Sequence, residues 1–100
     1  MLEDGDFEAT LAAAAGQDAQ LRAELLAGFL ESMNKQIDLL QRARCDGNWE
    51  VAAMRLRGLG TSFHSPQLTS LSEQALDGAP GDPSVLRKLR AFAESLTHSE

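Results

Sequence analysis

Few side chains in this sequence carry reactive chemistry, and their spacing keeps them apart. Cys45 is the only cysteine, so no internal disulfide forms and a cysteine-only metal site is excluded. His64 and His98 are the only histidines, the second in the C-terminal tail. The 15 Asp and Glu residues are dispersed, with no spacing that pairs two of them for acid–base work. Gly58-Leu59-Gly60 matches part of a nucleotide loop but lacks the strand and the further glycine. The chain is therefore expected to catalyse nothing alone and to need neither metal nor cofactor. What stands out instead is "AAMRLRGLGTSFHSP", Ala52 to Pro66, a helical pattern that holds two glycines and ends at a proline. Each interior glycine costs roughly 1 kcal/mol relative to alanine. Met54 stands one turn before the first of them.

The bulk composition bounds what can surround this stretch. One hundred residues make a single domain with one core. The chain is 43% hydrophobic and 24% charged, with a formal net charge of −6. That acidity argues against nucleic acid or an anionic membrane as a partner, since each needs a basic face, but it leaves room for a local basic patch. No apolar run reaches the roughly 18 residues that span a bilayer. The opening "MLEDGDFEA" is acidic where a signal peptide is basic. With its single cysteine, the chain is expected in the reducing cytoplasm.

Helical periodicity recurs along the chain, while alternating β-branched runs are absent. A short first helix is expected from Phe7 to Ala15, with Asp6 as N-cap and a stop at Gly16. A second runs from Asp18 to about Arg44. Its apolar stripe is Leu21, Leu25, Phe29, Met33, Ile37 and Leu40. Cys45-Asp46-Gly47 breaks it, and Asn48 caps a third helix from Trp49 to about Phe63. Ser65-Pro66 and Asp82-Pro83 each set a capping side chain before a proline, so a fourth and a fifth helix begin there. Leu68, Leu71, Ala75 and Leu76 form the inner face of the fourth. Val85, Leu86, Leu89, Phe92, Ala93 and Leu96 form that of the fifth. Short connections make successive helices antiparallel neighbours. The expected fold is all-α: an up-and-down antiparallel four-helix bundle, with the extra short N-terminal helix covering one end.

At about 100° per residue, Trp49, Ala52, Ala53, Leu56, Gly60 and Phe63 share one sector of the third helix, with Leu59 on its flank. That sector holds the large aromatic rings and must be buried, and Gly60 then allows a tight helix crossing. Met54 falls on nearly the opposite side, and Gly58 stands over it one turn later. Val51 and Thr61 share that outer face, and Arg55 and Arg57 flank it. Core packing does not explain a glycine on a solvent face; a closely approaching partner does. The plainer reading of Met54 and Val51 is scattered apolar surface.

The segment from Ala52 to Leu76 resembles the signature of histidine-containing phosphotransfer (HPt) domains, the carriers of multistep phosphorelays. Leu56, Arg57 and Gly58 match the family's Leu-Lys-Gly core, with Arg for Lys. Phe63 matches its hydrophobic position, and Leu68, Leu71 and Glu73 match the helix that follows. "ELLAGFLESMNKQIDLLQRARCDGNWEVAA" is similar to the family's second helix and the turn before the signature. The likeness spans Phe7 to Leu96. Its helical layout is nonspecific, whereas the Arg57-Gly58 pair at this spacing is moderately specific. Where the family carries its phosphorylated histidine, this chain has Met54, and Leu59 and His64 also depart from the small residue and glycine usual there. A thioether has no proton to exchange and cannot sustain reversible phosphoryl transfer.

The resemblance implies a pseudo-phosphotransfer protein. It would dock on a response-regulator receiver domain or a histidine kinase through Val51, Met54, Arg55, Arg57, Gly58, Leu59 and Thr61 without carrying phosphate. A flexible methionine suits an adaptable surface, and the arginines supply charge complementarity. Two alternatives stand beside it. One is an active phosphotransfer protein using a displaced His64, which lies about 80° round the wheel from Met54 and whose plainer reading is a surface histidine before a capping serine. The other is a non-signalling helical scaffold that self-associates through the Met54 face. A monomer or weak homodimer is expected.

Overall fold

All regular structure among the described residues is helical in this computed structural model, which describes residues 2–98 and the side chains of residues 7–97. The helices are α1 (Leu2–Ala15), α2 (Ala19–Arg42), α3 (Asp46–Ser62), α4 (Pro66–Asp77) and α5 (Pro83–His98). Three starts are held by capping side chains, two of them, Ser65 and Asp82, as expected and the third by Asp18, which was expected to open the helix itself. The Asp18 carboxylate accepts from the Gln20 and Leu21 amides at 3.0 and 3.1 Å, so it holds the donors that a helix start leaves orphaned. Ser65 Oγ accepts from the Leu68 amide at 3.4 Å, with Pro66 in the first turn. Asp82 accepts from the Ser84 amide at 3.0 Å at the head of α5.

Two other starts and one end differ from the sequence expectation. α1 begins at Leu2 rather than after an Asp6 cap, so Asp6 lies inside the helix. Acidic residues near a helix start are favoured by its dipole, which lets the helix run back through them. α3 begins at Asp46, not Trp49: Cys45 occupies the N-cap and Asn48 is already helical. The Trp49 amide donates to the Cys45 carbonyl at 3.1 Å, closing a first turn that Gly47 and Asn48 tolerate. α2 stops at Arg42 because Ala43 turns extended (φ −64°, ψ 132°) while staying buried.

α3 packs against α2 and α4, and α5 contacts both α4 and α2, so these four helices neighbour one another in a closed ring. Their shared interior holds Phe29, Met33, Ile37, Leu40, Leu56, Leu68, Ala75, Leu89 and Phe92. Burying such side chains is worth about 1.5–3 kcal/mol each for the larger ones. Of the expected stripes, Leu25, Leu76, Leu86 and Leu96 are half-buried, and Leu21 is exposed. α1 lies on α2. Its Phe7 ring stacks at a tilt 4.9 Å from Phe29 and 6.3 Å from Phe63, while Phe29 and Phe63 are themselves 4.7 Å apart. The first helix thus covers the end of the core at which α3 finishes.

Candidate functional site

Every outer-face residue named from the sequence lies on α3, so the division of that helix decides what the site can do. Trp49, Ala52, Ala53, Leu56 and Gly60 are buried on its inner side. The Trp49 indole Nε1 donates to the Ala75 carbonyl at 2.7 Å, tying the start of α3 to the last turns of α4. A Cβ on Gly60 would lie 2.7 Å from the Thr69 backbone nitrogen. The bare backbone there permits the close α3–α4 crossing that the sequence led us to expect. Phe63, at the C-cap, and Leu59, on the flank, are half-buried.

The opposite side is open. Val51 and Met54 are 48% and 49% exposed, more than any other large hydrophobic side chain described. A Cβ on Gly58 would meet nothing within 4 Å. No packing need selects glycine at that position. Arg55 is exposed and Arg57 half-buried, and neither guanidinium has an ion-pair or hydrogen-bond partner among the described residues. Two unpaired cations beside an apolar patch stand out in a chain of net charge −6. Exposed Thr61 contributes less than its position suggests. Its hydroxyl donates to the Arg57 and Gly58 carbonyls at 2.9 and 3.1 Å and is committed to the helix's own backbone.

Sequence reasoning missed how far this surface extends onto α2. A cleft of about 460 Å³ runs between the end of α2 and the first half of α3, lined by Leu39, Arg42, Ala43, Asn48, Val51 and Arg55. Arg42 is held by Asp38 at 3.1 Å, one turn back on α2. The pair Leu39-Leu40 was the available signal. Only Leu40 fits the buried stripe, which leaves Leu39 half-buried at the edge of the cleft.

The other reactive side chains lie elsewhere. His64 adopts a left-handed backbone (φ 54°), and its Nδ1 is 3.0 Å from the Thr10 hydroxyl, so the ring ties the α3–α4 turn to α1. The side chain of His98 lies outside the described residues. Cys45 is exposed and free, and it makes no capping hydrogen bond through its side chain. Among the described residues no group of three or more His, Cys, Asp or Glu could hold a metal ion, and no helix is long and apolar enough to cross a membrane. The Met54 face sets an exposed thioether, which has no proton to exchange, beside two guanidinium groups.

No protein-family model, curated protein or solved structure matches this chain.

Proposed function

We propose that this chain is a degenerate HPt domain, which docks on a receiver domain or a histidine kinase in the cytoplasm without carrying phosphate. The observation that carries the reading is the outer face of α3. Half-exposed Met54 stands beside the open backbone of Gly58, flanked by the unpaired guanidinium groups of Arg55 and Arg57. The resemblance puts the phosphoacceptor at position 54, and a side chain at that position is exposed. The ring of contacts among α2, α3, α4 and α5 supports an up-and-down, HPt-like four-helix bundle, with α1 as the additional helix. Methionine supplies deformable contact area, and the arginines steer an acidic partner toward it. His64, engaged with Thr10 and ten residues further along the chain, draws no support as a substitute acceptor.

The test is titration of receiver domains and kinases from the host against the purified chain, followed by phosphotransfer. Met54→Glu is expected to weaken binding about tenfold or more, as for a truncated interface anchor. Arg57→Ala should weaken it by less, with a loss that shrinks as salt rises. Met54→His should accept label from a phosphorylated receiver that leaves the wild type unlabelled. Label on the wild type, removed by His64→Ala, would falsify the inert reading. Binding unaffected by Met54→Glu would move the docking surface elsewhere, and dispersal of a wild-type oligomer by that substitution would favour self-association through this face.

A further inference from the structure

We propose that the cleft between the end of α2 and the first half of α3 is a docking groove for an acidic amphipathic helix of a partner protein. Its floor is small and apolar: Ala43 and Ala52 are buried there, with half-buried Leu39 and exposed Val51 as walls. Leu39 and Ala43 lie one turn apart at the end of α2, and Val51 and Arg55 one turn apart on α3, so each helix presents a row to the trough between them. The cavity of about 460 Å³ leaves room for large apolar side chains inserted from outside. A trough between two helices is the shape into which an amphipathic helix lays its apolar face.

Charge selects the occupant. Arg42 and Arg55 line the cleft from its two helices, and among the described residues no acidic side chain lines it. Residues 42–57 hold four of the nine basic side chains, Arg42, Arg44, Arg55 and Arg57, but only Asp46 and Glu50 of the fifteen acidic ones. This stretch is net positive in a chain of net charge −6. Arg55 has no ion-pair or hydrogen-bond partner among the described residues. The Arg42–Asp38 pair is exposed on both sides, where such a pair holds its members weakly. Arginine beside apolar surface is the composition enriched at interface centres. A neutral helix would leave both guanidinium groups without a counter-charge and a basic one would repel them, whereas an acidic helix with an apolar stripe complements charge and floor together. Neither Met54 nor Arg57 lines the cleft, so the proposal does not rest on what the Met54 face binds.

A displayed library of helical peptides tests the groove. Each peptide is about 14 residues long, roughly four turns, with leucine at i, i+3, i+4 and i+7 and with Glu, Gln or Lys varied at the flanking positions. Peptides selected by the wild-type chain should carry Glu there. Fluorescence anisotropy with a selected peptide should show Val51→Asp and Arg55→Glu each weakening binding about tenfold, the Arg55→Glu loss shrinking as salt rises. Both side chains are exposed, so the fold is retained, and helical circular dichroism checks it. Met54→Glu should leave the peptide bound, which separates this groove from docking through the Met54 face. Selection of Gln- or Lys-flanked peptides, no selection at all, or binding untouched by Val51→Asp overturns the proposal. Equal losses with Met54→Glu and Val51→Asp would also overturn it, by moving the peptide onto the Met54 face. Adsorption of the chain to vesicles of anionic phospholipid, lost on Arg42→Ala with Arg55→Ala, would assign the arginines to a membrane instead.

Discussion

Gly58 and Gly60 lie two positions apart on α3, yet a methyl group would find open space at the first and the Thr69 nitrogen at 2.7 Å at the second. The same contrast separates Leu56, fully buried, from Met54, half exposed. One side of the helix is selected by the core, where each atom has a neighbour and a change of volume is felt. The other side is under no such constraint. At Gly58 alanine would strengthen the helix and its methyl would meet nothing, so the bundle gives no packing reason for glycine there. Composition alone does not separate the two cases, since both glycines cost the helix the same; the neighbours decide.

The contrast can be broken by substitution, and stability measured in denaturant orders the effects. Leu56→Ala should destabilise the fold by about 2–5 kcal/mol, the range for a truncated core leucine. Gly60→Ala should cost about 1–3 kcal/mol, because Thr69 backbone must move away for the methyl to fit. Gly58→Ala should act with opposite sign and stabilise by roughly 0.5–1 kcal/mol, the helix gain with no clash to offset it. Met54→Ala should fall within about 0.5 kcal/mol of the wild type while still weakening partner binding. If Gly60→Ala stabilised the fold as Gly58→Ala does, the close crossing of α3 on α4 would be wrong and the contrast would collapse.

Much of this division was legible in the sequence because it follows from helical period and residue size. Trp49, Ala52, Ala53, Leu56 and Gly60 repeat at steps that admit one buried sector, and the capping side chains Ser65 and Asp82 act where they were read. The boundaries that escaped did so for local reasons. Asp46, Gly47 and Asn48 are turn residues by type, but a first helical turn lacks internal amide partners and accepts them. Ala43 ends α2 without any residue type that would announce it. The α2 wall of the candidate site was hidden for a different reason. A cleft between two helices depends on how they pack, and neither helix's own periodicity records it. Leu39, the residue that lines it, looks on the wheel like any half-buried flank position.

The buried indole of Trp49 has a practical consequence. It is the chain's only tryptophan, there is no tyrosine, and its N–H is bound to the α4 carbonyl of Ala75 inside the protein. Its emission is thus a built-in fluorophore signal of whether α3 and α4 are still joined. Substitutions at Met54, Gly58 or the arginines can be scored by that glow for integrity before any partner is added, so that lost docking is not mistaken for lost structure.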